Sequence, residues 1–244
     1  MWKRISAALF DLIILFMVTV GFAFLLSFAL DFGSYTDQYD ERRTVFEEEY
    51  DTSLSITEDE YNELSAEDKQ KFDDAFDAFS TDSEANYAVT MIFQLTLILA
   101  TFSVMLSYVV LEFVIPLIFG NGQTLGKKMF GLGVMRVDGV KISAPILFVR
   151  TILGKFTIET MVPLYIIIAM LFGAAGPIGL MVILVILITG IVLIIKTQTR
   201  STIHDMLSHT VCIDMKSQLI FESAEALLEY KQKLHRESAE RADY

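Results

Sequence analysis

The sequence predicts an all-α integral membrane protein with four transmembrane helices, an interfacial helix, a small cytoplasmic β-hairpin and an acidic extracellular helical loop. Three observations support this fold class. Of the 244 residues, 53% are hydrophobic and the mean hydropathy is +0.50. The apolar residues form long runs rather than recurring at the periods of a soluble core. Residues 31–86 hold 19 acidic and 4 basic side chains, so this one segment outweighs the whole net charge of −12.

Four apolar runs fit spans of a bilayer, which takes about 20 residues to cross, and the third of them, 157–173, is short. The first is longer than the apolar region of a signal peptide, about 7–15 residues, and it contains Asp11, which favours a retained helix. The third and fourth are separated by a turn signal at 173–177. The predicted divisions are transmembrane helix 1 at 1–30, the acidic extracellular insertion at 31–87, transmembrane helix 2 at 88–119, a cytoplasmic hairpin and interfacial helix at 120–156, transmembrane helices 3 and 4 at 157–196, and a cytoplasmic tail at 197–244.

Basic residues orient these helices. In a four-span arrangement three basic clusters fall on one side, which the positive-inside rule identifies as cytoplasmic. We therefore expect a multi-pass protein with both termini in the cytoplasm. A three-span arrangement would place the C-terminal tail outside and break the pattern. The clusters are Lys3 and Arg4, then Lys127, Lys128, Arg136 and Lys141, then Lys196 and Arg200.

The segments outside the spans contain patterns that predict secondary structure. Thr57 and Ser65 each precede an acidic residue by three positions, which is typical of helix N-caps in the outer segment. Asp138-Gly139 between alternating residues predicts a type I′ hairpin over 132–143, and the β-prone run 209–215 could add a third strand. Residues 144–156 combine apolar side chains with Arg150 and Lys155, as in a helix that lies in the membrane interface.

Four carboxylates lie in or beside the apolar runs: Asp11, Glu112, Glu159 and Asp205. Asp11 is the only ionisable side chain between Ile5 and Leu30, where a charge is costly unless it faces a partner or water. At 1.5 Å per residue, Asp11 and Glu112 both lie roughly 10 Å from the same surface. If they face each other, the pair could share a proton or hold a cation.

A structural interpretation stays open beside this one. Arg4, Arg150, Lys155 and Arg200 all lie near the same interface, so each acid could simply form an ion pair that fixes helix packing. Arg150 is the first expected partner of Asp11, because Arg4 is about 10 Å away along the helix axis. His204 and Asp205 could relay protons near neutral pH or cap a helix after Thr202.

Other classes of site are not indicated. The glycine-rich segment 120–127 lacks Walker spacing and has no Ser or Thr after Lys127, which favours a tight turn. No nucleophile and base are arranged as in an enzyme, and the single cysteine, Cys212, argues against a structural zinc site. We expect no cofactor, no metal and no nucleic-acid partner.

Several motifs together are similar to those of a known family. They are the opening RISAALFD of residues 4–11, Glu112, GQTLGKKMFGLGVMRVDG of residues 122–139, and RSTIHDMLSHTV of residues 200–211. The sequence resembles the RDD family of small bacterial membrane proteins. The resemblance implies that Arg4 is the family arginine, Asp11 and Asp205 are its two aspartates, and Gly126 and Lys127 are its glycine-lysine motif. It also implies the bacterial plasma membrane. The acidic insertion departs from the family's shorter first loop.

Two functions remain as expectations. The first is a transporter that exchanges a monovalent cation for protons through Asp11 and Glu112, with oligomerisation expected because four short spans leave little room for a path. The second is a non-transporting membrane adaptor or assembly factor whose buried charges are structural and whose partner is another membrane protein.

Overall fold

The computed structural model describes residues 2–171, 173 and 175–242, and it is mostly helical. Four helices are long and apolar enough to cross a membrane, which confirms the membrane-protein prediction at that level. The breaker at 173–177 and the last residues of the tail lie partly outside the described residues. The four long helices are α1, Trp2–Ala29; α5, Ser83–Phe119; α7, Ala144–Leu171; and α8, Gly176–Lys196. The shorter helices are α2, Phe32–Tyr50; α3, Glu58–Glu63; α4, Ala66–Thr81; α6, Leu125–Met129; α9, Ile203–Leu207; and α10, Ala224–Ala242.

Helix α7 corrects the predicted interfacial helix. Residues 144–156 and the predicted third span are joined in one continuous helix of 28 residues. The sequence pattern separates the two, because Arg150 and Lys155 lie among the apolar residues of 144–156. In the structure the middle of the helix, Val149–Met161, has π-helical hydrogen bonds. A second π-helical stretch, Val109–Val114, lies in α5. Such i→i+5 stretches are rare and often mark functional sites, and both contain charged residues of the site described below.

The small sheet also differs from the predicted hairpin. Strand β1 is Leu132–Arg136, and it pairs antiparallel with β2, Thr210–Asp214. The expected return strand does not form: Lys141 makes an isolated bridge with Met135, and Val140 makes a parallel bridge with Phe221. Gly139 has a φ of +91°, whereas Asp138 has no left-handed φ, so the turn is not type I′, which needs positive φ at both central residues. The run 209–215 therefore takes the place beside β1.

The chain divides into two compact units, and each has its own core. Unit 1 comprises Met1–Thr19 and Val104–Tyr244, and unit 2 comprises Val20–Ser103. In unit 1 the sheet residues Leu132 and Val134 are almost completely buried. Leu132 packs with Ala7 of α1 and Cys212 of β2, which ties the first helix to the sheet.

Unit 2 contains the acidic insertion, which folds into helices. Thr57 and Glu60 form a capping box at the start of α3, and Ser65 accepts a bond from the Asp68 N–H at the start of α4, as predicted. Phe79 of α4 is buried against the edges of two rings of α2, with centroid distances of 5.5 Å to Tyr39 and 5.8 Å to Phe46. The insertion is thus a packed helical pair stabilised by aromatic contacts.

Candidate functional site

Unit 1 contains a cavity of about 370 Å³ that gathers charged residues from almost every element around it. Helices α1, α5, α6, α7 and α9 and the segment after α8 all contribute charges. All nine charged or titratable residues singled out from the sequence line this cavity: Arg4, Asp11, Glu112, Lys127, Arg150, Glu159, Arg200, His204 and Asp205. Lys155 lines it as well.

Asp11 binds the beginning of α6 rather than an arginine. One carboxylate oxygen accepts a bond of 2.7 Å from the Gly126 N–H, and the other accepts a short bond from the Thr124 hydroxyl. Thr124 is itself the N-cap of α6 and accepts from the Lys127 N–H at 3.3 Å. The expected pairing of Asp11 with Arg150 is therefore wrong. A carboxylate is a strong acceptor for such donors, and it compensates N–H groups that a helix start leaves unbonded.

The glycine at position 126 is required by this contact. A Cβ added there would lie 2.9 Å from the Asp11 carboxyl carbon and would also meet the Ala7 carbonyl oxygen. The backbone of α6 can approach α1 only because this position has no side chain. The contact explains physically why a glycine precedes Lys127.

Arg150 forms its ion pair with Asp205. Both residues are nearly inaccessible, at 3% and 4% exposure. Arg150 also donates to the Thr210 hydroxyl at 2.5 Å, and Asp205 accepts from the N–H and hydroxyl of Thr202 at 3.1 and 2.8 Å. Burial alone would raise the pKa of Asp205, but the charge of Arg150 and these hydrogen bonds outweigh it and hold the pKa well below its usual range. The pair joins α7 to α9 and β2.

Glu112 pairs with Lys155 across the two π-helical stretches. The ammonium nitrogen lies 2.7 Å from a carboxylate oxygen, and Glu112 is only 7% exposed. Its backbone carbonyl accepts a second bond from α7, 2.9 Å from the Thr151 hydroxyl. Lys155 was considered in the sequence only as one of several interfacial cations, because helical spacing alone does not show which lysine faces Glu112.

Glu159 binds His204 instead of a cation from its own helix. The Nδ1 atom of His204 lies 2.9 and 3.0 Å from the two carboxylate oxygens, and the backbone N–H of His204 donates to Glu159 at 3.0 Å. The Nε2 atom lies 2.9 Å from the Thr202 hydroxyl. Asp205 is 4.0 Å from the ring, too far for a hydrogen bond, so the predicted direct relay between His204 and Asp205 is not formed.

The Thr202 hydroxyl lies within hydrogen-bond distance of both His204 and Asp205, but it has one proton to donate. Burial, followed by the charge of Arg150, lowers the pKa of His204 to about 4, so the ring is neutral at pH 7. A neutral ring that donates from Nδ1 to Glu159 must accept at Nε2. The single Thr202 hydroxyl proton then serves either His204 or Asp205.

Helix α9 is packed tightly on α7 to make these contacts. A Cβ on Gly154 would lie 2.5 Å from the His204 Cβ and 2.8 Å from its Cα. Thr202 and Asp205 form a capping box at the start of α9, as the alternative interpretation of this segment predicted. Thr202 and Thr124 were missed as site residues, although a Ser or Thr before a short helical segment is a recognisable cap signal.

A second cavity of about 10 Å³ lies between Asp11 and Glu112, and its other lining residues are apolar. This is room for about one water molecule. The two carboxylates predicted to lie at the same depth thus face one common space. Within the described part of the chain, no three histidine, cysteine and carboxylate side chains are grouped so that they could hold a metal ion.

Comparison with known proteins gives one match. A family model described as the RDD family matches residues 1–209, which is most of the chain. No match was found among the curated proteins or the solved structures.

Proposed function

We propose that this protein, which belongs to the RDD family of membrane proteins, is a transporter that exchanges a monovalent cation for a proton at the Glu112–Lys155 pair. The observation that supports the proposal best is the small space shared by Asp11 and Glu112. It offers two carboxylates to one ion. The Lys155 ammonium group lies beside Glu112 and can lose its positive charge by releasing a proton.

The exchange follows from competition for one carboxylate. Lys155 as ammonium and an alkali cation both need an oxygen of Glu112. Two unit charges 4 Å apart repel by about 4 kcal/mol at an effective dielectric of about 20. A cation therefore binds Glu112 stably when Lys155 gives its proton to water and becomes a neutral amine. One positive charge enters and one leaves, so the net charge of the cavity is unchanged.

Asp11 would complete the cation site. Its oxygens accept from Thr124 and Gly126, yet each carboxylate oxygen has more than one acceptor direction. The main chain of α6 fixes the position of the carboxylate without neutralising its charge. Asp11 can therefore add a ligand to a cation held by Glu112.

The proposal places the protein in the bacterial plasma membrane with both termini in the cytoplasm, since the basic clusters share one side in a four-span arrangement. It also includes a homo-oligomer or a complex with another membrane protein. The mass of the detergent-solubilised protein, measured by light scattering with the detergent contribution subtracted, distinguishes a monomer from both.

The test is proton flux in liposomes that contain the purified protein and an internal pH dye. Wild type is expected to move protons when a lithium, sodium or potassium gradient is imposed. Glu112→Gln and Lys155→Gln are each expected to abolish the flux, while the exposed-site variant Glu229→Gln keeps it. Absence of cation-dependent flux with correctly folded wild-type protein under all three gradients would overturn the proposal.

One observation favours the adaptor function instead. All four carboxylates of the cavity already have hydrogen-bond donors or ion-pair partners, as expected if these contacts only hold the helices together. In that case Asp11→Asn should lower the amount of folded protein, and wild type should carry no flux. Loss of flux at normal membrane abundance supports the transporter.

A further inference from the structure

The cavity has more basic groups than acidic groups. Its lining includes five arginine and lysine side chains and four carboxylates, and His204 is neutral at pH 7. The excess of one positive charge lies in an open cavity that borders the long helices α1, α5, α7 and α8, and Arg200 is exposed at its edge. For Arg4 and Lys127, which are partly buried, a charge without an ion-pair partner is costly, because less solvent is available to stabilise it. The five basic residues are Arg4, Lys127, Arg150, Lys155 and Arg200.

The known contacts show where the excess lies. Arg150 and Lys155 are matched by Asp205 and Glu112. The other three, Arg4, Lys127 and Arg200, form no ion pair within 4 Å with any carboxylate of the described residues. Arg4 instead donates to two backbone carbonyls, those of Thr199 and Cys212.

Lys127 is the most informative of the three. It is half-buried, and among the residues that the structure describes its ammonium makes one hydrogen bond, a long contact of 3.4 Å with the Thr124 hydroxyl. Burial, followed by repulsion from Lys155, lowers the pKa of Lys127. Its neighbour Lys128 is exposed and lies over the ring of Phe119, 3.5 Å from the centroid. Of these two adjacent lysines, Lys127 lines the cavity and Lys128 does not.

The rest of the lining is largely apolar. Five of these residues come from α1 and one from α8: Ile5, Ala7, Ala8, Leu12, Leu15 and Ile194. The others are Tyr108, Leu132, Thr202 and Cys212. A lining that combines an excess of basic side chains with an apolar wall matches a ligand that has a negative headgroup and a hydrocarbon chain. The volume of about 370 Å³ lies in the range of ligand pockets, about 300–1,000 Å³.

We propose that this cavity binds an anionic amphiphile, with a phosphate or carboxylate headgroup at Arg4, Lys127 and Arg200 and its chain along α1 and α8. A monoanionic headgroup brings the charge of the lining to neutrality and supplies the ion-pair partner that Lys127 lacks among the described residues. The proposal does not depend on cation exchange, because Glu112 and Lys155 keep their own pairing.

The first experiment separates headgroup charge from the chain. Purified protein in a nonionic detergent is titrated calorimetrically with dodecyl phosphate, dodecylphosphocholine and inorganic phosphate. Dodecyl phosphate is expected to bind at least tenfold more tightly than either of the others, because only it has both a net negative charge and a chain. Equal affinity for dodecylphosphocholine would overturn the anionic assignment, and equal affinity for inorganic phosphate would overturn the amphiphile assignment.

The matched lysines supply the control. Lys127→Gln is expected to weaken dodecyl phosphate binding about tenfold or more, whereas Lys128→Gln leaves it unchanged. Both variants are first compared with wild type by thermal unfolding, and Lys127→Arg shows whether charge alone restores binding if Lys127→Gln folds poorly. An equal loss in the Lys127 and Lys128 variants would overturn the proposal.

The source of the ligand is resolved in lipid nanodiscs by native mass spectrometry. Retention of phosphatidylglycerol by wild type, with reduced retention by Lys127→Gln, identifies a membrane lipid. Retention of added dodecyl phosphate but of no phosphatidylglycerol identifies a free single-chain amphiphile. Retention of neither overturns the site.

Discussion

Asp11 accepts a hydrogen bond of 2.7 Å from the backbone N–H of Gly126, a residue 115 positions further along the chain. This contact links the first helix to the short helix α6 and orients the carboxylate toward the space that it shares with Glu112. A charge that is costly in an apolar helix is thereby compensated by a main-chain donor and a hydroxyl rather than by a cation.

Replacement of Asp11 by alanine should destabilise the protein. The change removes two hydrogen bonds to a charged acceptor and leaves the Gly126 N–H without its partner, which should lower the free energy of unfolding by about 2–4 kcal/mol. Thermal or denaturant unfolding in micelles measures it. Asp74→Asn, at an exposed position of α4, is the control and should leave stability unchanged. A midpoint equal to wild type for Asp11→Ala would contradict the capping role.

Replacement of Gly154 by alanine tests the contact between α7 and α9. The new methyl would overlap the Cβ and Cα of His204, so the helices must separate, at a cost of about 1–3 kcal/mol. Gly190→Ala in α8 is the matched control, because a Cβ there meets no atom within 4 Å and alanine favours a helix by about 0.5–1 kcal/mol. If both variants unfold at the same midpoint, the close approach at Gly154 is refuted.

Removal of one partner of the Arg150–Asp205 pair should cost more than removal of both. Arg150→Met leaves a buried carboxylate unpaired, which typically costs about 3–5 kcal/mol. The double variant Arg150→Met with Asp205→Leu removes both charges and should recover part of that loss. A double-mutant cycle on the free energy of unfolding measures the coupling, and strictly additive losses would show that the two groups are independent.

Stability should depend on the titration of His204. Its pKa is about 4 when folded and about 6.5 when unfolded, so the unfolded chain binds more protons between these values. The stabilisation is therefore fully present above pH 6.5 and is lost as the pH falls toward 4, by of order 1 kcal/mol per pH unit. The lowered pKa of Asp205 affects stability only at lower pH. The stabilisation that it provides begins to be lost near the pKa of an unfolded aspartate, about 3.9.

The measurement is the unfolding midpoint of wild type and His204→Gln between pH 7 and pH 5. His204→Gln should show a flatter profile than wild type, because glutamine does not titrate. His235→Gln, on the exposed helix α10, should keep the wild-type slope. Identical slopes in all three proteins would refute a titration-linked contribution from His204.

Much of the site could be predicted because charges in apolar sequence are rare and costly. That reasoning selected Asp11, Glu112, Glu159 and Asp205, and the structure places all four around one cavity. It did not predict their partners. Arg150 was expected to meet Asp11 and meets Asp205, since pairing depends on the rotation of each helix about its axis.

The sequence by itself determined the four long apolar helices, the acidic insertion and the helix caps at Thr57 and Ser65, because these depend on local composition and on neighbours three or four residues away. Only the tertiary structure decided that Lys155 faces Glu112, that β2 replaces the hairpin strand beside β1, and that α7 is continuous through a π-helical stretch. These outcomes depend on contacts between distant segments, which no local pattern specifies.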